Sequence, residues 1–409
     1  MLYAHFTEEM LGLQGVKVNK VENIENNVII HIELERKEHK CPCCGGATDK
    51  IHDYRKQVIK DIPAFGKLTT LVLRKRRYRC EHCGKRFFER NNFLPRFHRM
   101  TNRLSAYVIN KLQTECSFTN VAREVNLSVT TVIRIFDLVS YPKSSLPEVI
   151  SMDEFKGNAG GEKYLNIIAD PANGVVLDIL PSRHLKDLYN YFKAFPREER
   201  QKVKYFISDM WKPYADVAST WFKNATQIVD KYHWIRQVFW AFENVRKEEQ
   251  KKLDKTLRKY FKKARYLLLK RFDELNNENK QRVNLMLYYS PTLSRAHWFK
   301  ESFLKILDCQ DSEKTCIAMR EWIFDAEESE LTQFVKCANT IRNWYKGILN
   351  SFDTKYTNGF IEGCNNKIKV LKRNAYGYRN FRRFRNRILH IFAYKKQSKK
   401  QAATCTAAA

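Results

Sequence analysis

The sequence predicts a multidomain α+β protein, and three observations predict it. Two Cys-x-x-Cys-Gly turns sit among short strand-like runs near the N-terminus. A helical segment broken at Asn126 follows them. Beyond residue 146, runs of strand character alternate with helical spacing and then give way to a long, charged, helical stretch. With 409 residues, 44% of them hydrophobic and 13% aromatic, the chain can bury several cores, which excludes a disordered protein.

The first 40 residues read as short strands, with 28–34 the clearest. Cys41-Pro42-Cys43-Cys44-Gly45 and Cys80-Glu81-His82-Cys83-Gly84 then offer paired thiols on tight turns, separated by a strand-like run at 68–73. Each Gly frees the backbone to turn its N–H groups toward sulfur, and two such pairs build a tetrahedral zinc site. The expected ligands are Cys41, Cys44, Cys80 and Cys83, with Cys43 as a possible substitute. Four thiolates leave no open position, so the Zn²⁺ is structural, and a ribbon with little core needs the folding energy it brings. Eleven cysteines, an odd number, suit metal binding in a reducing compartment better than a disulfide framework.

From Phe118 to Val139 the pattern is that of a helix-turn-helix. Ala122 is small where two helices cross, Asn126 tolerates the left-handed turn, Ser128 caps the second helix, and Val132 and Ile135 supply its core face. Thr130, Thr131 and Arg134 then point outward, toward a major groove if DNA is bound. Pro142 and Pro147 mark a linker.

Three strands follow at 149–156, 163–169 and 174–181, the last two joined by the turn Asp170-Pro171-Ala172-Asn173-Gly174. A helix carrying Leu185, Leu188, Tyr189 and Phe192 comes next, stopped by Pro196. A strand at 203–208, a helix near 213–223 and a short strand at 226–230 complete the series. Three strands, helix, strand, helix, strand is the order of a ribonuclease H-like core. From 232 to 350 the sequence is charged and helical, which reads as an all-α insertion. The expected boundaries are a zinc ribbon at 1–95, a helix-turn-helix at 96–145, the core at 146–240, the insertion at 241–345, a last core segment at 346–395 and a disordered tail at 396–409.

Charge bounds the partner. There are 74 Lys plus Arg against 45 Asp plus Glu, a net +29, and a folded chain of that charge implies a polyanion, with double-stranded DNA the expected one. No run approaches the roughly 18 apolar residues of a membrane span, and the N-terminus lacks a signal-peptide layout, so a cytoplasmic protein is expected, nucleoid-associated when on DNA.

Within so basic a chain, two aspartates stand in costly places. Asp153 lies inside Val149-Ile150-Ser151-Met152-Asp153-Glu154-Phe155, and Asp209 ends Val203-Lys204-Tyr205-Phe206-Ile207-Ser208-Asp209. A carboxylate buried in a sheet must reach an edge or be held by a cation. A ribonuclease H-like sheet sets its first strand beside its fourth, which makes these two neighbours. With a third group on a later helix they can hold two Mg²⁺ (or Mn²⁺) ions about 4 Å apart for phosphoryl transfer. Among rival acids, Glu154 faces the other side of its strand, Asp170 and Asp178 belong to the hairpin, and Asp353 lies in a loop. Glu362 is the last acidic residue, followed by 13 Lys and Arg.

Across nearly its whole length the chain resembles the zinc-ribbon insertion-sequence transposases of the ISL-three family, of the DDE class. The likeness is carried by Cys-Pro-x-Cys-Gly from Cys41, by Ser151-Met152-Asp153-Glu154-Phe155 and by Ser208-Asp209-Met210-Trp211. Thr357-Asn358-Gly359-Phe360-Ile361-Glu362-Gly363 runs into Asn365-Asn366-Lys367-Ile368-Lys369 and continues through Lys372-Arg373 to Gly377-Tyr378-Arg379-Asn380-Phe381. The resemblance implies a catalytic, metal-binding triad of Asp153, Asp209 and Glu362. It also gives meaning to Asp230 and His233, which match an Asp-x-x-His element. Lys369, two helical turns after Glu362, is suited to grip a phosphate. Lys367, Lys372, Arg373, Arg379 and Arg382 extend a DNA-binding surface, with Arg383 and Arg385 beside them. The implied function is binding of terminal inverted repeats, metal-dependent strand cleavage and strand transfer, performed by a dimer or larger assembly. The alternatives are a non-catalytic DNA-binding regulator of domesticated origin and a nuclease without strand transfer.

Overall fold

The computed structural model describes the backbone of residues 2–309 and 311–406 and the side chains of 7–309 and 311–393. The tail expected at 396–409 therefore lies outside the described side chains. Two compact units emerge, one made of Met1–Pro142 with Lys367–Ala409 and the other of Lys143–Asn366. Among the described residues no helix is long and apolar enough to cross a membrane.

In the first unit, α1 (Leu2–Leu11) precedes β1 (Val16–Ile24) and β2 (Asn27–Leu34). The short strands β3 (His39–Lys40) and β4 (Ala47–Thr48) frame the first cysteine turn. A long hairpin of β5 (Ile51–Ala64) and β6 (Lys67–Arg79) leads to the second turn and to β7 (Arg86–Phe88). The sheet order is β1-β2-β6-β5, with β7 added on β6. Alternating side chains of β1, β2, β5 and β6 bury Val16, Val18, Ile30, Ile32, Ile59, Leu71 and Leu73 on one face, the period-two signature of a half-covered sheet.

Three helices follow: α2 (Asn102–Lys111), α3 (Phe118–Glu124) and α4 (Val129–Phe136). Asn126 takes the left-handed conformation, φ 50°, between α3 and α4, and the Ser128 hydroxyl accepts the Thr131 N–H at 3.1 Å, capping α4 as its residue type leads one to expect. Val121, Ala122, Val125, Val132, Ile135 and Phe136 pack together with Leu104 and Val108 of α2.

In the second unit, β8 (Val149–Ala159), β9 (Glu162–Asp170), β10 (Val175–Leu180), β11 (Tyr205–Ser208) and β12 (Thr226–Val229) form a sheet in the order β10-β9-β8-β11-β12. The first three are antiparallel neighbours, while β11 runs parallel to both β8 and β12. Helices α5 (Leu185–Lys193) and α7 (Lys212–Trp221), separated by the single turn α6 (Arg197–Gln201), cover one face. Leu188, Phe192, Tyr214 and Val217 meet Ile150, Met152 and Phe206 there. The parallel pairing of β8 and β11, both interior strands, brings Asp153 and Asp209 together at the C-terminal end of β11.

From β12 the chain enters α8 (Lys231–Lys252) and then α9 (Lys255–Lys263), α10 (Arg265–Leu269), α11 (Asn277–Tyr289), α12 (Pro291–Ile306), α13 (Ser312–Glu327), α14 (Thr332–Asn343) and α15 (Tyr345–Asn350). These helices bury a core of their own, with Trp234, Phe242, Phe299, Phe303, Trp322 and Phe334 among its members. The last helices are α16 (Gly359–Asn374), which carries Glu362, and α17 (Phe381–Thr406).

The expected last core segment, 346–395, is divided: residues from 367 onward cluster with the first unit. The reason lies in α17. Arg387 is fully buried. Its guanidinium donates to the carbonyls of Leu112, of Thr114 at 3.0 Å and of Cys116 at 2.8 Å, and it lies 5.7 Å and 5.6 Å from the ring centroids of Phe118 and Phe136. Arg383 makes a two-point pair with Asp137 at 2.8 Å. The helix-turn-helix thus takes its remaining packing from the far end of the sequence.

Candidate functional site

Two clusters of metal-ligating groups occur among the described residues, one of thiols and one of carboxylates. The thiol cluster consists of Cys41, Cys44, Cys80 and Cys83, with sulfurs all within 4.8 Å of one another. Cys41 Sγ lies 3.6 Å from Cys83 Sγ, and Cys44 Sγ lies 3.5 Å from Cys80 Sγ. A tetrahedral zinc with Zn–S bonds of about 2.3 Å needs sulfurs roughly 3.8 Å apart, so the donor set fits the ion. Gly45 and Gly84, at φ 74° and 72°, close matching turns, each donating its N–H to the first cysteine's carbonyl at 3.0 Å. The backbone N–H groups of Cys44 and then Cys43 hold the Cys41 thiol down to about 6, against the opposing effect of burial. Cys43 itself is exposed and stands outside the cluster.

The carboxylate cluster joins Asp153, Glu154 and Asp209, again with oxygens within 4.8 Å. Alternation along β8 directs Asp153 and Glu154 to opposite faces, and their partners agree. Asp153 Oδ2 accepts from Asn365 Nδ2 of α16 at 2.8 Å, whereas Glu154 accepts from Arg183 at 2.7 Å and from the Tyr214 hydroxyl at 3.4 Å. Glu154 thus faces the other side of its strand as expected, yet its carboxylate oxygen still reaches those of the two aspartates, which keeps it a rival. Pairing of β8 with β11 ends at Ser151 and Ile207, so both side chains can reach into the gap where the two strands part.

Burial, and then crowding, raises the protonation of these acids. Burial first, then the charges of Asp209, Glu154 and Asp230, push Asp153 up to about 7 against the pull of the Glu154 N–H. Burial and then Glu154 push Asp209 up to about 6, while His233 acts in the opposite direction. Asp209 Oδ1 and Asn365 Oδ1 are buried without a hydrogen-bond partner among the described residues. Acceptor oxygens left unsatisfied in an acidic pocket are what a hard divalent cation takes up, so the residues fit such an ion.

Asp230 is buried at the start of α8; its N–H reaches the Ser208 carbonyl at 2.9 Å and its Oδ1 accepts the Asn358 N–H at 3.0 Å. Asn358 in turn accepts from the Ser151 hydroxyl. The start of α16 is thereby tied to β8 and β12. His233 is half-buried one turn into α8. Glu362 is exposed and outside the carboxylate cluster, one turn before Asn365 on the same helix. Sequence reasoning gave no role to Asn365, Asn358 or Arg183; the only signal for the two asparagines was their position within the motif around Glu362.

The DNA-facing candidates divide. Thr130 and Arg134 are exposed on α4, and Thr131 is half-buried with its hydroxyl 2.8 Å from Ser128 Oγ. Lys369, Arg373, Arg379 and Arg382 are exposed and Lys372 is half-buried, but Lys367 pairs with Glu115 at 2.9 Å. Of two tyrosines that lie in sequence between these cations, Tyr378 is buried and stacks on Phe384 with centroids 4.6 Å apart, while Tyr376 is fully exposed.

A zinc-binding ribbon, a helix-turn-helix and an acidic centre where the interior strands of a mixed sheet part define a metal-dependent enzyme that handles DNA. Residues 150–388 match a DDE family of ISL3 type described as a transposase. Residues 37–83 match the zinc-finger of transposase IS204/IS1001/IS1096/IS1165, and 89–140 match the helix-turn-helix domain of transposase family ISL3. The chain belongs to the ISL3 family of DDE transposases. It is 28% identical over 394 residues to the transposase for insertion sequence element IS1001 of Bordetella parapertussis, covering 93% of this chain and 96% of that one. It is also 25% identical over 244 residues to the transposase for insertion sequence element IS1557 of Mycobacterium tuberculosis, about half of each chain, at 53% and 54%. A stretch of 50 residues is 48% identical to a Lactococcus lactis protein named ATP-dependent protease, but it covers only 12% of this chain.

Proposed function

We propose that this transposase binds the terminal inverted repeats of its insertion sequence through the zinc ribbon and helix-turn-helix, and that Asp153, Asp209 and Glu362 carry strand cleavage and strand transfer. The observation that carries the reading is the pair of aspartates where the interior strands β8 and β11 part, Asp209 with an oxygen that has no partner among the described residues and Asp153 met by Asn365 from the helix that bears Glu362. The strand order β10-β9-β8-β11-β12 supports a ribonuclease H-like core, and α8 to α15 read as its helical insertion. The domain organisation that follows is ribbon, helix-turn-helix, interrupted core and a C-terminal helix returned to the first unit.

Asp153 and Asp209, with Glu362, would hold two divalent cations, Mg²⁺ or Mn²⁺. The chemistry supplied when they are bound is Lewis acidity at the scissile phosphate and activation of water or a 3′-hydroxyl. Asn365 fixes the orientation of the Asp153 carboxylate. Asp230 holds Asn358 and so sets where α16 begins, and His233 moderates the charge at Asp209. Lys369, seven residues beyond Glu362, is suited to grip a DNA phosphate, and Arg379 and Arg382 extend the DNA-binding surface of the first unit. Because two element ends must be joined to one target, a dimer or larger assembly on DNA is proposed.

Glu154 is the rival third carboxylate, since its oxygen lies with the two aspartates. Arg183 and Tyr214 already engage both its oxygens, which favours a role in fixing the cluster. The test is Mg²⁺-dependent cleavage and joining of DNA bearing the ends that flank the gene, with Asp153→Asn as control. Joining that survives Asp153→Asn defeats the assignment.

A further inference from the structure

Helix α8 leaves the acidic centre with a row of exposed rings. Tyr232, Arg236 and Trp240 follow one another at intervals of four residues and so share one face. Tyr232 is 54% exposed and Trp240 46%. The Arg236 guanidinium lies between them, 5.6 Å from the Tyr232 ring centroid and 4.3 Å from that of Trp240. The opposite side of the same helix buries Trp234, Val238, Ala241, Phe242 and Val245 in the helical core, so burial of rings is available to α8 and these two are left out of it.

The row begins at the site. Tyr232 lies two residues after Asp230, whose N–H bonds the Ser208 carbonyl next to Asp209 at 2.9 Å, and its ring meets that of His233 edge-on with centroids 5.6 Å apart. From Tyr232 to Trp240 the helix rises about 12 Å, the length of a few stacked bases. Flat faces interleaved with a guanidinium suit an aromatic polyanion better than an apolar protein surface, because the cation would be buried unpaired by the latter.

We propose that Tyr232, Arg236 and Trp240 form a stacking platform for unpaired nucleobases of the DNA strand whose phosphate lies at the acidic centre. The inference rests on the transposase reading and adds to it that the strand is locally single-stranded beside α8. Stacking needs only a π-face, so the platform accepts any base, and Arg236 adds a cation–π contact or grips the intervening phosphate.

The test uses the full chain with zinc retained, and measures binding of fluorescent single-stranded oligo(dT) and of a duplex of equal length at one fixed salt concentration. Trp240→Ala and Tyr232→Ala are each expected to weaken oligo(dT) binding by roughly ten-fold and to leave duplex binding unchanged, as removal of one base stack implies. Trp240→Phe should retain most of the affinity. If both alanine variants bind oligo(dT) like the wild type and only melt earlier, the rings serve the helix and the platform is refuted. Equal weakening toward both DNAs refutes it as well. The transposase reading fails by a separate result, namely wild-type cleavage of end DNA that is absent or indifferent to Asp153→Asn.

Discussion

Asp153 and Asp209 carry folded-state pKa values pushed up to about 7 and about 6 from an ordinary 3.8. The folded state therefore holds these protons more tightly than the unfolded chain, and the stability they contribute is whole below about pH 4 and lost as pH rises through 6 to 7. Without Mg²⁺, but with zinc in place, the protein should melt at a lower temperature at pH 8 than at pH 5. Asp153→Asn should flatten that dependence and recover on the order of 2 kcal/mol at pH 8. Added Mg²⁺ should raise the wild-type melting temperature at pH 8 and leave the variant nearly unmoved; a wild type equally stable at both pH values would contradict the burial and crowding of these acids. Both aspartates were legible because charge inside an apolar strand is costly. The nearness of Glu154 was not legible, since alternation fixes the direction of Cβ and says nothing of where a long side chain ends. Asn365 was silent for a different reason: a neutral amide on a helix carries no electrostatic oddity to notice.

Elements were legible to differing depth. The zinc ribbon and the turn at Asn126 follow from local chemistry, namely thiol spacing, glycine freedom and a residue that accepts positive φ. Sequence periodicity showed that helices exist but not which ones meet, so the return of α17 to the helix-turn-helix was invisible in residues 381–393. Arg387 makes that return costly to lose, because its removal strands three carbonyls among Phe118 and Phe136. Arg387→Ala should lower stability by about 3 kcal/mol or more, read as a fall in melting temperature, and Arg387→Lys should recover only part, since an ammonium cannot reproduce the fork. For the ribbon, Cys80→Ser should release the zinc, measured as a drop from one bound ion per chain, and increase amide exchange in β5 and β6; retention of the ion would show that three thiols suffice.

At the scale of the molecule, a net charge of +29 predicts DNA binding that weakens steeply with salt. Replacing Arg379 and Arg382 by Ala should reduce the slope of log affinity against log salt by about one for each phosphate that is no longer neutralised. An unchanged slope would remove these residues from the binding surface. Glu362 is the last acid of the sequence, ahead of 13 Lys and Arg, yet nothing local in the sequence fixes its role. The most direct test of the whole account compares Asp153→Asn, Asp209→Asn, Glu362→Gln and Glu154→Gln in Mg²⁺-dependent cleavage and joining of end DNA, with DNA binding measured alongside. The account predicts that the first three abolish both reactions while binding persists, and that Glu154→Gln retains joining at a reduced rate. Activity kept by Glu362→Gln and abolished by Glu154→Gln would contradict it and move the third carboxylate onto β8.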